Sequence, residues 1–456
     1  MTWRSFSVAA CGLALFAACG IGYEVDLEGF CALAPDDVEC VGRAGSAGAA
    51  GLGGMAGAPE MGTGGGPLMG AAGAGMGGGG AGGSGGIVCT GPEVECGGAC
   101  VDVKAENAAN CGACGRTCLG AATCAAGACV PEAMATGEVA PYALVEDGTS
   151  LYWVSPAIRA GGAVNDARMR RVGKASAGGA AENVFDSTRV RARSLGFAEG
   201  KLYWGELGAS PSDFGNQKLV AGAPAGDPTT VASDQAGIEH LTLGNGLVYW
   251  LLGGGTGTVR GKAADGSGDI APQIAFQTNP RWVVVDADAV PYWVANATGG
   301  QREVRRTVSP SAAEAVASEP DVVAVELTVD RYYWADRAAG TVQSRPKAAP
   351  TEAPREEFGG QGAVEGFRVE GATLYVLTVQ GRQLRAWRKG PGDEAPFLLG
   401  EVEAKAEAYA GNPFGAAYVL VDAQYLYFAD VGTFLAPTPD LVQVSAGDGV
   451  VYRVAK

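Results

Sequence analysis

The C-terminal two-thirds of the chain alternates apolar and polar residues with a period of two, in units that recur. Around Tyr249, Leu241 and Leu243 alternate with polar neighbours and Gly244-Asn245-Gly246 supplies a turn of positive φ. Val248 and Trp250 then share one face, with Tyr249 on the other. Successive side chains of a strand point to opposite faces, so the pattern predicts two antiparallel strands joined by a tight turn. The same reading fits Leu195 and Phe197 before Trp204, Val325 and Leu327 before Trp334, Phe367 and Val369 before Val376, and Val419 and Val421 before Phe428. In the first and fourth repeats the apolar pair falls one residue earlier, at Ala143 with Val145 and Val283 with Val285, which predicts a turn one residue longer in both.

The repeat count sets the expected architecture. Tyrosine recurs at Tyr152, Tyr203, Tyr249, Tyr292, Tyr333, Tyr375 and Tyr427, at intervals of 51, 46, 43, 41, 42 and 52 residues. The first five are followed by Trp153, Trp204, Trp250, Trp293 and Trp334, the last by Phe428. After each hairpin comes broken strand signal with room for two more strands, and four strands in such a repeat make a propeller blade. The expected fold is therefore all-β: a seven-bladed β-propeller over residues 131–456. These aromatics are expected to fill the seams between blades, where each ring can bury roughly 150–250 Å². The final segment, Gly449 to Val454, reads as the third strand of the last blade. Its outer partner is expected from the stretch around Ala133 to Val139, which would abolish an open edge.

Ahead of the propeller the composition changes. Residues 1–18 read as a signal peptide, with Arg4 before an apolar run from Val8 to Ala18 that is too short to span a bilayer. Leu15-Phe16-Ala17-Ala18-Cys19 resembles a bacterial lipobox, which implies lipidation of Cys19 and an outer-membrane or cell-surface location; ordinary secretion is the alternative. Residues 19–41 form a short mature N-terminal segment. Residues 42–86 are nearly all small, lack the apolar side chains that offset folding entropy, and are expected to be a tether with an r.m.s. span of roughly 38 Å.

Apart from Cys11 in the signal and Cys19 at its end, ten cysteines remain, an even number, as expected for disulfides in an exported protein. Cys31 and Cys40 precede the tether. Cys89, Cys96, Cys100, Cys111, Cys114, Cys118, Cys124 and Cys129 crowd into residues 87–130, too few apolar residues for a core of their own, so cross-links must hold that module. Their pairing is not readable. The strings Gly97-Gly98-Ala99-Cys100-Val101-Asp102 and Asn110-Cys111-Gly112-Ala113-Cys114-Gly115-Arg116-Thr117-Cys118, closed by Cys124 and Gly127-Ala128-Cys129-Val130, resemble the Stig1-like cysteine-rich repeat. That family implies an extracellular module and no chemistry. Tyr333-Trp334-Ala335-Asp336 and Tyr427-Phe428-Ala429-Asp430 resemble the Tyr-Trp-Thr-Asp propeller family, which implies a ligand- or protein-binding propeller.

A net charge of −16 argues against nucleic acid as a partner. The basic groups Arg168, Arg170, Arg171 and Arg302, Arg305, Arg306 read as solvated faces. The single histidine, His240, sits on an expected inner strand, which leaves little for a hydrolytic triad or a zinc site. No catalytic residue, metal or cofactor is assigned. The chain reads as a binding or scaffold protein, monomeric, contacting a protein or glycan; the alternative is a hydrolase or lyase acting on an extracellular polysaccharide.

Overall fold

The computed structural model describes residues 87–155, 168–175, 177–185, 190–206, 217–224, 226–235, 237–253, 257–297, 299–309, 312–405, 419–435, 444–445 and 447–456. Cys19, Cys31, Cys40, the signal segment and the tether lie outside them. Every regular element among the described residues is a strand.

Seven four-stranded antiparallel sheets follow one another. Their first strands are Tyr142–Glu146, Val190–Ala198, Ile238–Gly244, Arg281–Val285, Val322–Leu327, Ala363–Glu370 and Val419–Val421. Each first strand touches the next, and the seventh returns to the first, so they form the inner wall of a closed ring. The chain is a seven-bladed β-propeller.

The ring closes across the termini. In blade 7 the strand Gly449–Ala455 pairs on one side with Tyr425–Asp430 and on the other with Glu132–Glu138, from before blade 1. The strand Gly449–Ala455 is thus not left as an open edge; the chain's own N-terminal strand covers it. Arg453 secures the clasp: its Nε donates to Glu132 at 2.7 Å and its Nη1 to the Lys174 carbonyl at 2.5 Å.

Turn chemistry explains the hairpins. Asn245 and Gly246 both have positive φ, as a two-residue turn matching strand twist requires. In blade 4, Val285 pairs with Pro291, and Asp286 to Ala289 make the longer turn the sequence predicts. Blade 1 departs from expectation. Val145 pairs with Tyr152 and Asp147 with Ser150, the ordinary length. The offset of Ala143 comes instead from a bulge between Tyr142 and Val145, with Ala143 at φ 59°.

Trp153, Trp204, Trp250, Trp293 and Trp334 are at most 1% exposed, as are Tyr152, Tyr203, Tyr249 and Phe428. Tyr292, Tyr333, Tyr375 and Tyr427 are also buried. The neighbouring Tyr332, which the repeat pattern passes over, is fully buried and donates to the Val316 carbonyl at 3.1 Å.

The module before the propeller is held by four disulfides, Cys89–Cys100, Cys96–Cys114, Cys111–Cys124 and Cys118–Cys129. Three residues after Cys129 the chain enters the clasp strand. Cys111, Cys118, Cys124 and Cys129 are buried in one cluster with Leu399, Leu426, Phe428 and Val454 of blades 6 and 7. Arg116 seals this contact, its Nη2 donating to the Leu399 carbonyl at 2.9 Å while its guanidinium lies 4.7 Å from the Phe397 ring centre. Burial and the charge of Arg388 pull the Arg116 pKa down to about 10.

Candidate functional site

The inner strands are not regular. In blades 3 to 6 each carries one extra residue opposite its partner: Glu239, Trp282, Val323 and Glu365. A bulge of this kind bends the strand and re-aims a side chain. At Trp282 it does so at φ 46°, a backbone region that bulky side chains rarely occupy.

Trp282 lines a cavity of about 200 Å³ between the inner strands. Its ring lies 4.6 Å from that of His240, and its Nε1 donates to the Val325 carbonyl of blade 5 at 2.9 Å. His240 Nδ1 accepts the Val283 N–H of blade 4 at 3.1 Å. Arg368 of blade 6 donates through Nη1 to Glu326 of blade 5, and through Nε to the Val419 carbonyl of blade 7 at 2.8 Å. Polar contacts therefore run from blade to blade across one side of the channel. Leu144, Leu195, Phe197 and Leu243 make the other side apolar.

Burial, reinforced by the charge of Arg368, pulls the His240 pKa down to about 3, so the imidazole is neutral at ordinary pH. Burial pushes the Glu326 carboxyl up, and Arg368 opposes that shift. Glu365 is 1% exposed and pushed up to about 7 by burial. Arg337 stands 3.1 Å from it, but out of line for a hydrogen bond.

A second set of groups was not found by sequence reasoning. Glu138, at the end of the clasp strand, accepts from Trp153 Nε1 at 3.0 Å and from Arg170 Nη2 at 3.1 Å. Gln235, at the end of the outer strand of blade 2, accepts from Trp250 Nε1 at 3.1 Å and from Arg260 Nη1 at 2.9 Å. Each latch joins the outer strand of one blade to the tryptophan of the next. The signal was available: both acceptors stand 15 residues before their tryptophan. Glu319 has the same spacing to Trp334, and Gln277 lies one residue farther from Trp293, but the indole nitrogens of Trp334 and Trp293 make no hydrogen bond, so the spacing marks the position and not the bond.

The remaining groups serve structure. Asp147 accepts the N–H groups of Thr149 and Ser150 and the hydroxyl of Tyr152, and Asp422 does the same for Gln424, Tyr425 and Tyr427. The Asp286 carboxylate accepts the N–H groups of Asp288 and Val290. Five of the six arginines read as solvated faces are paired: Arg170 with Glu138, Arg171 with Glu182, Arg302 with Asp321, Arg305 with Glu303 and Arg306 with Glu314. The sulfurs of Cys111, Cys118 and Cys129 meet within metal-ligand distance, but all three belong to disulfides.

Among solved structures the chain is similar to the WD40 β-propeller domain of Doa1, at 11% identity over 71% of this chain and 96% of that one, with a TM-score of 0.46. It is also similar to the PQQ-bound aldose sugar dehydrogenase of Streptomyces coelicolor, at 15% identity over 59% and 96%, TM-score 0.41. A nidogen/laminin complex matches at 13% identity over 57% and 97%, TM-score 0.38. No protein-family model and no curated protein matches the chain.

Proposed function

We propose that this is an exported, lipid-anchored cell-surface protein whose propeller binds a protein or glycan partner. The observation that carries the reading is the continuity of module and clasp: the last disulfide ends at Cys129, and the strand that closes the ring begins at Glu132. A cross-linked base that runs directly into the closing strand suits a domain held at the end of a tether in an oxidising compartment. The lipobox-like segment ending at Cys19 and the Stig1-like cysteine spacing support the same setting, and the Tyr-Trp-Ala-Asp string supports a binding propeller.

The buried acids of the inner strands weigh on the side of binding. Cleavage of a glycosidic bond uses two cooperating carboxyl groups. Here Glu326 faces Arg368 and Glu365 faces Arg337.

Mass spectrometry of the mature protein tests the anchor, with a lipid-modified N-terminal Cys19 as the expected result. Surface protease treatment of intact cells should release the propeller. The full mature chain, immobilised and offered envelope proteins and envelope polysaccharides in separate arms, should retain a component of one class. Polysaccharide turnover abolished by Glu326→Gln or Glu365→Gln would overturn the binding reading.

A further inference from the structure

The cavity lies between the inner strands, and its walls divide by chemistry. One side is apolar, built by Leu195, Phe197 and Leu243; the other ends in Arg368. A guanidinium has five N–H donors. Arg368 places one on the Val419 carbonyl and one on Glu326, so three have no acceptor among the described residues. Its side chain is 29% exposed and borders the cavity.

The pocket is held in shape by contacts between blades. Trp282 keeps a left-handed backbone beside the cavity, locked by its bond to Val325 and by the His240 ring. Strain of this kind persists only where the surroundings over-determine it, and it clusters at ligand sites. Glu326 and Val419 fix the guanidinium from two other blades, so its free edge is pre-oriented.

We propose that this cavity binds a small carboxylate with an apolar body, its carboxylate on the free edge of Arg368 and its body against Leu195, Phe197 and Leu243. A planar fork of N–H donors matches a carboxylate better than it matches a neutral acceptor. About 200 Å³ lies below the range of drug-sized pockets, so the ligand is small, of the size of a branched or aromatic short-chain acid.

The test titrates the full mature chain with phenylacetate and isovalerate by calorimetry and ligand-observed NMR, with phenylacetamide as the uncharged control. At least one acid should bind, and phenylacetamide should bind at least about tenfold more weakly than phenylacetate, as loss of a charge-assisted hydrogen bond implies. Arg368→Gln should weaken acid binding by a similar factor. Glu326→Gln should strengthen it, because the competing carboxylate is gone. Val284→Phe, which fills the cavity wall, should block binding without lowering the melting temperature by the amount a misfolded ring would show. Failure of both acids to bind the unsubstituted chain overturns the proposal, as does binding that ignores both the Arg368 substitution and the amide replacement.

Discussion

Trp153 Nε1 donates to Glu138 Oε2 at 3.0 Å, joining the outer strand of the last blade to the second strand of the first. The same carboxylate takes the Ser155 hydroxyl and the Arg170 guanidinium. The ring thus closes with the latch that Gln235 provides for Trp250 in an interior seam. Closure needs no special chemistry; it needs the repeat unit to be completed by a strand from the other end of the chain.

Glu138→Ala should leave the buried Trp153 Nε1 and Ser155 hydroxyl and the part-buried Arg170 guanidinium without their acceptor, and lower unfolding free energy by about 2–4 kcal/mol. Glu138→Gln copies the arrangement at Gln235 and should cost less than half of that. Urea denaturation of the two variants distinguishes a latch from simple packing, because packing alone predicts nearly equal losses.

Cys118→Ser with Cys129→Ser should cost about 2–5 kcal/mol. The loss should be local before it is global. Hydrogen exchange should accelerate in the clasp strand Glu132–Glu138 and its partner Gly449–Ala455, while the blade 4 strand Pro291–Asn296 stays protected. Removing Cys89–Cys100, at the far end of the module, should leave the clasp unaffected. Uniform acceleration in both double variants would contradict a clamp on closure.

Glu365 has its carboxyl raised from 4.5 to about 7. Between those values the folded state binds the proton that the unfolded chain has lost, so stability falls as pH rises through this window. Glu365→Gln removes the dependence. The variant should gain on the unsubstituted chain across that window by no more than about 3 kcal/mol, read from denaturation midpoints at several pH values.

His240 acts in the opposite direction. Its pKa is lowered from 6.5 to about 3, so on acidification the unfolded chain takes up a proton that the folded chain refuses. Stability should fall as pH drops from 6.5 towards 3, by up to about 5 kcal/mol from this residue. His240→Asn keeps an acceptor for the Val283 N–H and should flatten the acid limb. An unchanged acid limb would mean that His240 is charged in the fold.

The blade count and the clasp were legible because they rest on local order: period-two alternation, turns that demand positive φ, and an aromatic at one equivalent position per repeat. The first-repeat turn was misjudged for a related reason. A bulge adds a residue to a strand without changing the apolar pattern around it, so the offset of Ala143 looks the same in sequence whether the turn or the strand is longer. The tryptophan latches carried a signal too, an acid or amide 15 residues upstream, but its meaning depends on the next blade being alongside.

The sequence by itself determined the repeating strand pairs, the aromatic seams and a cross-linked module, because alternation, turn chemistry and cysteine crowding act between near neighbours. Only the tertiary structure decided the disulfide pairing and the meeting of His240, Trp282, Glu326 and Arg368 around one channel. Those four side chains span more than a hundred residues and come from four blades, and nothing in a linear spacing says which way a bulged inner strand will point them.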